Sequence, residues 1–254
     1  MPLVMAILVP HPTDRDVTAV PMTDKAARLV GQNIAKKRVE TLVLLQSRPF
    51  APTDPFTPPA SDPQAVNVLG LDKSSAAGFV FENEVGFLDE LTTHARPAGW
   101  AIKRLPQIEF DPSSAAAMSW IGLVDPAPKL VVATLPYQNP PKLVDFGLLL
   151  GGVAKKYSTN VAIVAIANLA NRLSGQSQTP EAKKFDETFK QSIEQNKLES
   201  VINYDLSALE AAGEEAARPV SVLYGAARAS QLKKVALESY EAPSTTGYSI
   251  VTWQ

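Results

Sequence analysis

The chain contains no cysteine and only two histidines in 254 residues. The lack of cysteine excludes disulfides, thiolate metal sites and a cysteine nucleophile, and it suits a reducing compartment, so the expected location is the cytoplasm. No apolar run approaches the ~18 residues of a membrane span. The apolar opening MPLVMAILVP has neither a basic leader region nor a small-residue cleavage site, so it does not read as a signal peptide. There is no excess of basic charge either. Lys+Arg number 24 against Asp+Glu 26, a net charge of -2, which argues against nucleic acid or a membrane surface as a partner. The glycine-rich phosphate and dinucleotide loops and the G-x-S-x-G nucleophile turn are also missing.

What is present is ordinary globular material: 45% apolar and 20% charged residues, enough to bury a sizeable core. Four segments rich in β-branched residues, Leu3–Val9, Thr41–Leu45, Lys129–Leu135 and Asn160–Ala167, have the near-continuous apolar character of strands covered on both faces. Helical periodicity falls between them at Thr23–Lys37, Glu84–Arg96 and Leu143–Tyr157. Further helices are expected at Ala182–Glu194, around Leu206–Ala217 and at Val220–Ala229, with a closing strand at Tyr248–Trp253. This order predicts an α/β fold with a central, mostly parallel sheet flanked by helices. Pro49–Pro63 carries too many prolines for regular structure and is expected to form a long, stiff loop. No repeat or domain boundary is evident, so residues 1–254 are expected to form one domain.

His11 is the candidate functional residue. It follows the first apolar run in AILVPHPTD, just beyond a strand's carboxyl end, where parallel α/β sheets place their sites. Position alone leaves a hydrogen-bonded loop histidine equally open. Asp14 and Asp16 could approach a cation, but capping explains them more simply. His94, in LTTHARPAG, reads as the partner of a helix C-terminus.

Several short motifs, taken in order, resemble one family along the whole chain. These are VPHP at Val9–Pro12, FDETF at Phe185–Phe189 with the helical NKLESVINYDLSALEAAGEEAARPVSVLYGAA after it, and ESYEAPSTTGYSIV at Glu238–Val251. Together they resemble the class III extradiol ring-cleavage dioxygenases, the LigB-type family of the catalytic β subunit of protocatechuate 4,5-dioxygenase. The resemblance implies an Fe(II) site in which His11 is the first ligand and Glu241 the closing carboxylate. A 2-His-1-carboxylate set of this kind leaves positions open for catecholate and O₂. It also implies second-sphere histidines that move protons.

Here the sequence departs from the family. A gapless match puts Arg48, in TLVLLQSR, at the second ligand histidine, and a guanidinium has no lone pair to give a metal. Pro112 stands where a D-H-G segment has histidine. In IANLANRL, Asn168 and Asn171 stand where the family has aspartate and histidine. Two histidines cannot supply two ligands and two proton-transfer residues.

Two readings follow. One is a non-catalytic homologue without a resident cofactor: a homo-oligomer or partner of a paralogous subunit, its cleft keeping a small aromatic or carboxylate ligand. The other is an extradiol dioxygenase or related oxidoreductase with an altered site, in which His11, Glu241 and a carboxylate such as Asp14 or Asp111 hold Fe(II) or another divalent metal. In the first reading Arg48 is expected to replace the lost metal by pairing with Glu241.

Overall fold

The structure is a computed structural model that describes residues 2–11, 19–46, 65–69, 73–76, 79–105, 112–122, 127–135, 138–171, 173–174 and 177–254. The loop Pro49–Pro63 and the candidates Asp14, Asp16, Arg48 and Asp111 lie outside the described residues.

The strands are β1 (Leu3–Val9), β2 (Thr41–Gln46), β3 (Ala65–Leu69), β4 (Lys73–Ala76), β5 (Phe79–Glu82), β6 (Ala101–Leu105), β7 (Lys129–Thr134), β8 (Val161–Ile166), β9 (Leu173–Ser174), β10 (Ser177–Gln178), β11 (Val235–Glu241) and β12 (Tyr248–Trp253). The helices are α1 (Pro21–Lys36), α2 (Val85–Ala95), α3 (Pro112–Ile121), α4 (Pro140–Lys156), α5 (Pro180–Glu194), α6 (Glu199–Ile202), α7 (Leu206–Ala212) and α8 (Ala217–Ser230). Eight strands form one sheet in the order β11-β12-β1-β8-β2-β7-β3-β6. The four central strands β1, β8, β2 and β7 are parallel, while β12 and β3 pair antiparallel to their central neighbours. The mostly parallel α/β sheet expected from the sequence is therefore present.

The central strands are apolar throughout because both of their faces are covered. Val43 and Leu45 point into a layer built with Phe87, Phe146, Phe185 and Leu223. Leu42 and Leu44 point into the opposite layer, with Val30, Ile34, Met118 and Ile121. In the first layer α4 and α8 cross with their backbones almost touching. A methyl group added at Gly151 would lie 2.4 Å from the Ala226 carbonyl oxygen, and one at Gly225 would lie 2.3 Å from that of Val144. Only glycine permits this approach.

Helix starts deviate from the periodicity in one consistent way. α1, α4 and α5 begin at Pro21, Pro140 and Pro180, two or three residues early, because proline suits a first turn that has no use for its missing N–H. The helix expected over Leu206–Ala217 is interrupted. α7 stops at Gly213, whose φ of +61° is left-handed, and α8 begins at Ala217. β3, β4, β5, β6, β9, β10, β11 and α3 were not expected. β11 (VALESYE) is a half-buried outer strand whose polar Glu238, Ser239 and Glu241 cut the apolar run short and hide it from a search for such runs.

Candidate functional site

The carboxyl ends of β1, β8, β2 and β7 share one edge. Val9 is level with Ile166, which is level with Gln46, which is level with Thr134. The chain leaves β1 through Pro10 to His11. It leaves β8 through Ala167, whose N–H still donates to the Val9 carbonyl at 3.0 Å, to Asn168. His11 and Asn168 therefore sit side by side above the last sheet row.

His11 is held at three points. Its backbone N–H donates to Asn168 Oδ1 at 3.0 Å. Its Nε2 is 2.9 Å from Glu215 Oε2, and Asn168 Nδ2 is 3.5 Å from its Nδ1. One neutral tautomer satisfies both ring contacts: Nε2–H donates to the carboxylate and Nδ1 accepts from the amide. The imidazole is 11% exposed and the Glu215 side chain 24%. Glu215 is fixed in turn by its own N–H, which donates to the Leu169 carbonyl at 3.2 Å. Next to it, Glu214 Oε2 accepts the Ala217 N–H at 2.6 Å and so caps α8. Burial pushes the Glu214 carboxyl up to about 7, against the pull of that N–H and of Arg218.

Glu241 ends β11 opposite Tyr248 of β12, and β12 lies between β11 and β1. β1 and β11 both run against β12, so His11 and Glu241 reach the same edge of the sheet. Their side chains take different partners. Glu241 accepts the N–H groups of Met22, at 3.3 Å, and Thr23, at 2.7 Å. These are first-turn donors of α1, whose cap residue Val20 makes no side-chain cap. Glu241 thus satisfies helix-end donors from across the fold and sets its charge at the positive end of the helix. It does so whatever Arg48, outside the described residues, contributes.

The remaining candidates are scattered. Asn171 Oδ1 accepts from Thr246 Oγ1 at 2.8 Å. Pro112 opens α3. His94 lies in the last turn of α2, as the sequence suggests, and its Nδ1 is 2.8 Å from the Glu90 carbonyl one turn back.

The sequence did not point to Glu215, Glu214 or Asp186. Asp186, inside FDETF, is fully buried and accepts from the Ala170 N–H (3.0 Å), Gln178 Nε2 (2.9 Å) and the Tyr240 hydroxyl (3.0 Å). Burial raises its carboxyl above the usual range, and these donors oppose the rise. The network ties α5 and β11 to the segment that carries Asn168. Glu214 and Glu215 fall inside the helix expected around Leu206–Ala217, with nothing local to mark them; only the tertiary fold brings Glu215 to a histidine 204 positions away.

The described donors do not fit the iron implied by the family resemblance. That site needs two imidazoles and a carboxylate with free lone pairs. His11 Nε2 faces Glu215, Glu241 faces α1, and the second histidine is bound to its own helix. Among the described residues no three His, Cys, Asp or Glu side chains are grouped to hold a metal ion. Among the same residues no helix is long and apolar enough to cross a membrane.

Residues 118–251 match the family described as the catalytic LigB subunit of aromatic ring-opening dioxygenase. The crystal structure of an uncharacterized protein from Escherichia coli K12 superposes with a TM-score of 0.70 at 13% identity, over 98% of this chain and 99% of that one. That likeness speaks for the fold alone. No curated protein matches the chain.

Proposed function

This chain belongs to the family of the catalytic LigB subunit of aromatic ring-opening dioxygenase, and from that premise we propose that it has lost ring cleavage and acts as a non-catalytic homologue. In this reading the edge around His11 and Asn168 keeps a small-molecule site, and the protein works as a homo-oligomer or beside a paralogous subunit. The observation that carries it is where the two histidines go. One gives Nε2 to Glu215 at 2.9 Å, and the other gives Nδ1 to a carbonyl of its own helix at 2.8 Å. Extradiol cleavage asks histidine for two ligands and for proton transfer, and general acid–base help alone contributes ~10²–10⁴ in rate.

The test is metal analysis of the purified protein beside a spectral ring-cleavage assay on catechols with added Fe(II). The expected result is no stoichiometric iron and no ring-opened product. Turnover of any catechol at an ordinary enzymatic rate would refute the reading and favour the altered metal enzyme, in which His11 and Glu241 serve as ligands.

A further inference from the structure

Gln46 is the last residue of β2 and has no exposed surface. Neither its Nε2 nor its Oε1 has a hydrogen-bond partner. Such groups are uncommon in folded proteins, and each calls for a physical reason. The neighbours in register explain where this amide sits. Gln46 is level with Ile166 on one side and Thr134 on the other, and Asn168 lies two residues beyond Ile166. Strand alternation puts it on the side of Leu42 and Leu44, the α1 and α3 layer. It therefore lies two residues below the His11–Asn168 pair, at the edge where open parallel sheets receive ligands.

An apolar residue there would extend the surrounding core without any unpaired group. The retained amide presents one donor and one acceptor side by side, in one plane. Its best complement is a group with the same pair reversed, an N–H next to a C=O. An ion is a poor occupant. The position is fully buried, so an ion brought there would lose its hydration, a cost that only a close counter-charge offsets.

We propose that Gln46 is the recognition amide of the small-molecule site at this edge, and that it takes a neutral ligand carrying a lactam or primary carboxamide. This deepens the ligand-binding reading above by narrowing the ligand to a class, and it points away from carboxylates.

The test is calorimetric titration and thermal melting, without iron, using 2-pyridone and benzamide as probes and benzoate and N-methyl-2-pyridone as controls. The expected result is saturable binding of 2-pyridone or benzamide, at least tenfold weaker binding of both controls, and at least tenfold loss in Gln46→Met. Unliganded Gln46→Met should melt higher by roughly 2–6 °C, because it removes two unpaired buried atoms at similar volume. Three results overturn the proposal: no binding of either probe, unchanged binding in Gln46→Met, or a lower melting temperature for that variant. If the variant does not fold, the comparison of 2-pyridone with its N-methyl derivative on the native protein decides, since the derivative can no longer donate. No readout involves iron or dioxygen, so failure here leaves the ring-cleavage result standing, and the reverse.

Discussion

Glu214 should make the protein less stable as the solution moves from acid to neutral, and Glu214→Gln should remove that loss. Burial lifts its carboxyl from the ordinary 4.5 to about 7 in the folded protein. The folded state therefore holds the proton more tightly than the unfolded chain does. The contribution of this group is most favourable below pH 4.5, falls as the pH rises from 4.5 to 7, and is constant above. At about 1.4 kcal/mol per pH unit the interval corresponds to about 3.5 kcal/mol. The residue keeps some surface, so the solvent-screened value is nearer ~2 kcal/mol. Glutamine stays neutral throughout, and its carbonyl can still accept the Ala217 N–H. Urea melts at pH 4, 5.5, 7 and 8 should give equal stabilities for the two proteins at pH 4 and a glutamine advantage of ~2 kcal/mol at pH 8. Asp186 also titrates, but in both proteins alike, so it cancels from the difference. Two stability curves that run parallel across this range would refute the assignment of a buried, proton-holding Glu214.

Two further outcomes are expected. Gly151→Ala places a methyl 2.4 Å from the Ala226 carbonyl oxygen; overpacking of ~1–3 kcal/mol should outweigh the helix-propensity gain of ~1 kcal/mol and lower the melting temperature, whereas Gly152→Ala, with open space around its Cβ, should not lower it. Glu241→Ala strands the Met22 and Thr23 donors of α1 and should cost ~1–2 kcal/mol in chemical denaturation, with Glu241→Gln recovering part of it; a change below a few tenths of a kcal/mol would mean that α1 does not depend on this carboxylate.

The buried parallel strands were readable because burial on both faces leaves an uninterrupted apolar run, as in Val161–Ile166. β11 was not, since most of its residues are only partly buried and Glu238, Ser239 and Glu241 leave it no apolar run. His11 stood out by position, as a rare residue just past a strand end. Its partner did not. Glu215 is one of two adjacent acids inside the stretch expected as a helix around Leu206–Ala217; the break at Gly213 is what turns Glu214 to the Ala217 N–H and Glu215 to His11. Gln46 was hidden for a related reason: a glutamine closing an apolar run marks a strand terminus in sequence, and only the packing leaves its amide without a partner.

The sheet order has a consequence for how the chain is made. β1 is translated well before its hydrogen-bonding neighbours β8 and β12, which begin at Val161 and Tyr248. An emerging ribosomal product thus carries an apolar strand whose two flanks stay unpaired until those later strands have been synthesised. Pairings this distant are slow to close, and the waiting strand is a site for mispairing between neighbouring nascent chains. Expression at lower temperature, or with chaperones that shield extended apolar segments, should raise the soluble yield more for this topology than for a sheet whose strands pair in the order of synthesis.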